Sequence, residues 1–119
     1  MKINMIQGKV WGTTRPIETN NFFEAHRLEI KKNYRCSKHV HKYKWNGFYV
    51  EKGVLDIHIW KNDYSLVDIT TLRAGDYTVV PPNEYHMFVC KKDCICFELY
   101  WPHFCANDID RKSVGKKTK

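Results

Sequence analysis

The chain has 119 residues, 43% hydrophobic and 14% aromatic, which is apolar material for the core of one domain. Its formal net charge is +7, but Arg111, Lys112, Lys116, Lys117 and Lys119 supply five of those charges, so residues 1–110 carry only +2. Basic charge confined to a tail, without an aromatic-interleaved basic stripe, argues for a solvated terminus and against nucleic acid as a partner. No apolar run approaches the ~18–20 residues of a membrane span, so no membrane partner is expected.

Residues 1–21, with Gly8, Gly12 and Pro16 among mixed residues, read as an irregular N-terminal arm with one short edge strand. Phe22 to Ile30 alternates as a strand, and His26 within it is expected to be structural or exposed. Tyr34 to Tyr43 is the next extended run. It contains His39 and His41, which an extended backbone places on one face so that their imidazoles converge. Neutral imidazole suits zinc, iron, copper and nickel alike, so the pair opens a metal site. Asn46-Gly47 then offers a tight turn. Phe48 to Val50 resumes as a strand that ends at Gly53, and Trp45 beside it is expected in the core.

Val54 to Trp60 alternates with Leu55, Ile57 and Ile59 on one face and Asp56, His58 and Trp60 on the other. Asn62 and Asp63 are the expected turn, and Ser65 to Leu72 is the expected return strand of an antiparallel hairpin. Gly75-Asp76 is another turn, Tyr77 to Val80 another strand, and Pro81-Pro82 breaks the sheet. His86, Phe88 and Cys90 share one face of the following strand, Lys91 to Asp93 reads as a turn, and Cys94 to Trp101 as a last strand. On that strand Cys94, Cys96, Glu98 and Tyr100 share a face. Residues 106–119 are expected to form a short helical turn, capped by Asn107 or Asp108, and a frayed basic tail.

Short strands about every ten residues, with turn signals between and no sustained helical period, predict an all-β barrel or sandwich, closed as a double-sheet jelly roll. The five cysteines, an odd set behind a start that lacks an apolar signal region, are expected to be reduced, which places the chain in the cytoplasm. Cys94 and Cys96 have no matching second pair and read as core or surface thiols rather than zinc ligands.

Two spacings resemble the cupin motifs. His39-Val40-His41, four residues, Asn46, six residues, Gly53 follows the first motif with Asn46 in place of its glutamate. Gly75, five residues, Pro81-Pro82-Asn83, two residues, His86 follows the second with Asn83 in place of its last glycine. The resemblance implies a cupin-type double-stranded β-helix, or jelly-roll barrel, over 22–105. It also implies one divalent metal (Fe, Zn, Ni or Mn) held by His39, His41 and His86, with Asn46 as a possible fourth ligand. Three histidines leave positions open for water or substrate. Asn46, Phe48, Val50 and Phe88 are expected to line the pocket, and Tyr77 and Glu98 are the candidate catalytic groups. The implied function is binding of a small polar metabolite beside the metal, as in a metal-dependent enzyme such as a dioxygenase. The alternatives are a non-catalytic metabolite-binding cupin and a metal-independent sugar-nucleotide isomerase or epimerase, the latter needing a diphosphate-binding patch for which Arg27, Arg35 and Lys38 are the candidates. Outward apolar residues that need cover make a homodimer the expected assembly.

Overall fold

The computed structural model of the chain describes residues 5–61, 66–104 and 108–118. Seven strands carry the architecture: β1 (Gln7–Lys9), β2 (Gly12–Thr19), β3 (Glu24–Ile30), β4 (Lys44–Trp60), β5 (Val67–Arg73), β6 (Tyr77–Val80) and β7 (Tyr85–Pro102). They form one antiparallel sheet in the order β1-β2-β3-β7-β4-β5, with β6 paired to β4. The described residues contain no α-helix.

The 17-residue β4 and the 18-residue β7 run beside each other from Lys44↔Pro102 to Trp60↔Tyr85. Register shifts between Val50 and Leu55 mark where both strands bend, and such bulges let a strand turn a corner from one layer into another. One layer therefore holds β1, β2, β3, the C-terminal half of β7, the N-terminal half of β4, and β6. The other holds β5, the C-terminal half of β4 and the N-terminal half of β7. Beside the latter runs the segment Asn33–His41, through backbone bonds such as Asn33 N to Cys90 O and the reciprocal pair between His39 and His86. Two layers joined by shared bent strands make the jelly roll.

Period-two alternation explains the core. Phe48, Val50, Leu55, Ile57 and Ile59 of β4 meet Phe88, Cys90, Cys94 and Cys96 of β7, with Leu28, Ile30, Leu72 and Val80 filling between. The four described cysteines are free thiols, and burial pushes Cys94 up to about 12, so these groups behave as small apolar fillers.

Several local expectations are corrected. Asn46-Gly47 is not a turn: both residues lie inside β4. The Asn46 side chain is held from across the interior, and Gly47 leaves room for the Tyr77 ring, whose hydroxyl would stand 2.5 Å from an added Cβ. Gly53 does not end a strand, and Lys91 to Asp93 is not a turn, because both belong to the corner. Gly53 adopts φ 92° and an added Cβ would collide with the Asp93 carbonyl, so only glycine lets the two bent strands approach. Residues expected as an irregular arm form β1 and β2, the latter paired along β3. The run from Tyr34 to Tyr43 is not a regular strand but an edge segment bridged at Arg35↔Val89 and His39↔His86. Trp45 lies on the outer face, stacked parallel to Trp101 at 6.5 Å. The hairpin of β4 and β5 is present, Val54↔Arg73 through Trp60↔Val67, whereas its turn at Asn62-Asp63 lies outside the described residues. Of the expected helical turn, Asp108 to Arg111 is not helical and Asn107 lies outside the described residues.

Candidate metal centre

His39 and His86 face each other across a hydrogen-bonded pair, His39 N to His86 O at 3.0 Å and His86 N to His39 O at 2.8 Å. Such a pair puts both side chains on one face, and His41, two residues on, joins them. Asn83 N donates to His41 O at 2.8 Å, which ties the turn before β7 to the histidine segment. Asn83 itself adopts φ 68°. Asparagine tolerates that conformation, so it replaces the motif glycine without moving His86.

The ring centroids stand 4.4 Å (His39–His86), 5.0 Å (His39–His41) and 5.3 Å (His41–His86) apart. One ligand nitrogen from each lies within 4.8 Å of the others. His39 Nδ1 donates to Ser37 O at 2.7 Å and His86 Nδ1 to Glu84 O at 2.9 Å, an arrangement that fixes the tautomer and leaves each Nε2 with its lone pair free for a metal. Burial, reinforced by the neighbouring histidines, lowers His41 to about 4; burial, against the pull of the Glu84 carbonyl, lowers His86 to about 4. Both imidazoles are therefore neutral at neutral pH.

Two atoms show how well the site suits a cation. His41 Nε2 is buried and has no hydrogen-bond partner. His86 Nε2 stands 3.2 Å from Asn46 Oδ1, and the Asn46 amide is oriented by Nδ2 donating to Leu99 O at 3.3 Å. Two acceptors thus face each other in the interior, and a shared cation satisfies both. Three imidazoles and an amide oxygen can hold a divalent ion of the zinc or iron kind.

The opposite layer brings further groups to the histidines. Register pairs Glu98 with both Phe48 and His26, and Tyr100 with Asn46, so Glu98 and Tyr100 point inward. A cavity of about 370 Å³ is lined by Trp11, His26, Cys36, His39, Glu98 and Tyr100, among others. Burial raises the Glu98 carboxyl, opposed by hydrogen bonding from Tyr100 and Asn46 and by the nearby His26 and His39. Burial raises the Tyr100 phenol, and the Glu98 charge raises it further. Cys36 in the same wall is pushed up to about 11 by burial.

Of the expected site residues, the structure brings together His39, His41, His86, Asn46, Phe88 and Glu98. Phe48 and Val50 have the inward phase but lie fully buried in the core, where side chains of both layers close over them; they line none of the cavities beside the histidines. Tyr77 is 49% exposed and belongs to the outer face. On β6 it is Thr78 and Val80 that pair with the inward Phe48 and Asn46, while Tyr77 pairs with the outward Tyr49. Tyr77 therefore lines neither cavity beside the histidines. His26, expected to be structural or exposed, lines the cavity. Tyr100 and Cys36 also reach it; the period-two face shared by Glu98 and Tyr100 is the sequence signal that pointed to Tyr100.

No family model and no curated protein matches the sequence. Solved structures do match the fold. A cupin of the RmlC-like kind from Shewanella frigidimarina aligns with a TM-score of 0.70 and 23% identity, over 88% of this chain and 87% of that one. This is the cupin fold. KdgF from a Halomonas species aligns over 84% of this chain and 89% of its own length, with a TM-score of 0.71 and 17% identity. An oxalate decarboxylase from Bacillus subtilis gives 0.72 and 15%, but this chain spans only 27% of it. On this fold, three histidines that can hold a metal ion occupy the motif positions, and Asn46 stands at the glutamate's place with its oxygen turned to His86.

Proposed function

We propose that this small cupin binds one divalent metal ion through His39, His41 and His86, with Asn46 Oδ1 beside them, and acts on a small polar metabolite held next to it. The observation that carries the reading is the pair of unmet acceptors, His41 Nε2 buried without a partner and His86 Nε2 facing Asn46 Oδ1 at 3.2 Å. A bound divalent ion supplies Lewis-acid polarisation of a ligand oxygen. The chain's own groups do the rest. Glu98, whose carboxyl burial raises, is placed to hold or accept a proton within the cavity. Tyr100, inward on the same strand face, opposes the burial shift of that carboxyl, while Trp11 and Phe88, packed edge to face at 5.1 Å, exclude water from the apolar side.

A raised carboxyl inside the cavity favours an enzyme over a passive metabolite binder. The sugar-nucleotide reading draws less support. Arg27 is paired with Glu29 at 2.9 Å, and Lys38 lies over the Trp60 ring at 4.2 Å; neither lines the cavity that holds Glu98, and Lys9 is its one basic lining residue. The homodimer also belongs to this proposal. Ile95, Phe97, Leu99, Tyr49 and Tyr77 lie on the outer face of one layer, an apolar surface suited to a second copy.

Loading the purified chain separately with iron, zinc, nickel and manganese, followed by elemental analysis, tests the metal. The expected result is about one equivalent per chain for at least one ion, falling below about 0.1 in His86→Gln. Less than about 0.1 equivalent in the unaltered chain with every ion would sink the reading.

A further inference from the structure

On the other side of Tyr100 lies a second cavity, of about 400 Å³, lined in part by Phe22, Phe23, His41, Tyr43, Lys44 and Tyr100. Its size is that of a small-molecule site. Tyr100 lines both cavities, so this one opens directly on the His41 side of the histidine cluster. Its rim carries exposed rings: Phe22 is 73%, Phe23 38% and Tyr43 78% exposed. The first two are held there by Asn20, whose Oδ1 accepts from Phe22 N at 2.8 Å and Phe23 N at 2.9 Å. Rings kept at the mouth of a cavity, exposed among the described residues, suit a flat apolar body lying between them.

The charged groups of this cavity are Glu24, Lys42 and Lys44. Glu24 already serves two partners, His26 Nε2 at 3.2 Å on one oxygen and Lys44 Nζ at 4.0 Å on the other. At that distance Lys44 is not hydrogen-bonded to the carboxylate, and its ammonium instead rests 4.0 Å above the Tyr100 ring. One carboxylate against two ammonium groups leaves the lining with a single positive charge in excess. Three donors on a partly exposed lysine, beside the His41 imidazole, can take up one anionic group. A phosphate monoester, with about two negative charges at neutral pH, exceeds that single positive charge.

We propose that this second cavity takes a small organic monocarboxylate with a flat apolar body, its carboxylate at Lys44 and its body between Phe22, Phe23 and Tyr43. This rests on the metal reading for where the chemistry happens, but the cavity's own residues carry the specificity.

Isothermal titration with benzoate and its neutral isostere benzamide tests it, on metal-loaded and metal-free protein, with metal content measured in parallel. Benzoate is expected to bind about tenfold or more tightly than benzamide. Lys44→Met removes that preference without changing metal content, and Phe22→Ser weakens both probes while keeping the preference. Equal binding of the two probes, no binding of either, or a preference that survives Lys44→Met overturns the proposal. So does a Phe22→Ser chain that binds both as before. A Lys44-dependent benzoate preference in a chain that takes up no metal upholds the carboxylate site while the metal reading fails. One equivalent of metal with no benzoate preference does the reverse.

Discussion

Asn46 concentrates the chemistry of this site in one side chain. It is 1% exposed, its Nδ2 is bound to the Leu99 carbonyl, and its oxygen faces an imidazole nitrogen that is itself an acceptor. Leaving two buried acceptors unmet costs free energy, a cost that an ion between them would offset on binding. Asn46→Asp restores a carboxylate at the position where the cupin motif has glutamate. Without metal the variant buries a charge beside neutral histidines and is expected to lose about 1–3 kcal/mol. With zinc it is expected to gain about 10- to 100-fold in affinity. Thermal melts with and without zinc, and chelator competition, read both effects; an unchanged affinity would show that position 46 does not reach the ion. The spacing His-x-His and the distant His86 were legible in the sequence because ligand type and period-two alternation are local. The direction of the Asn46 amide was not, since its orientation is set by Leu99 and His86 from other strands.

Among the elements, the bent strands decide where everything sits. Gly53 reads as a strand end and Lys91 to Asp93 as a turn because polar residues and glycine give the same local signal for a corner as for a reversal. The distinction lies in partners: Val50↔Cys96 on one side of the bend and Leu55↔Cys90 on the other keep both chains running on into the second layer. Gly53→Ala forces a side chain into φ 92° against the Asp93 carbonyl, and its expected cost is about 1–3 kcal/mol. Gly75→Ala, at φ 91° with nothing within 4 Å of the added Cβ, is expected to lose only about 1 kcal/mol. Urea midpoints of the two variants compare them directly; equal losses would mean that the corner contact carries no energy beyond backbone strain. Asn46-Gly47 fails as a turn for a related reason. Its hairpin preference is a local one, and the packing of Gly47 under Tyr77 and of Asn46 against His86 outweighs it.

For the molecule as a whole, the two faces of the β3–β7–β4–β6 layer have different fates. The inner face closes the core and the site; the outer one carries Tyr49, 39% exposed, and Tyr77, 49% exposed, beside the half-buried Phe97 and Leu99. Light scattering is expected to give twice the chain mass of 14.2 kDa, and Phe97→Lys is expected to return the monomer with its metal content intact. A monomer in the unaltered chain would refute the dimer. The sequence by itself determined which residues share a strand face, that the fold is all-β, and that three histidines sit at cupin spacing, because alternation and turn chemistry act over a few residues. Only the tertiary structure decided that Glu98, Tyr100 and His26 stand around those histidines and that Tyr77 does not. Alternation says which side of a strand a residue occupies, but the neighbour it meets there is set by register between strands tens of residues apart, such as His26↔Glu98 and Asn46↔Tyr100.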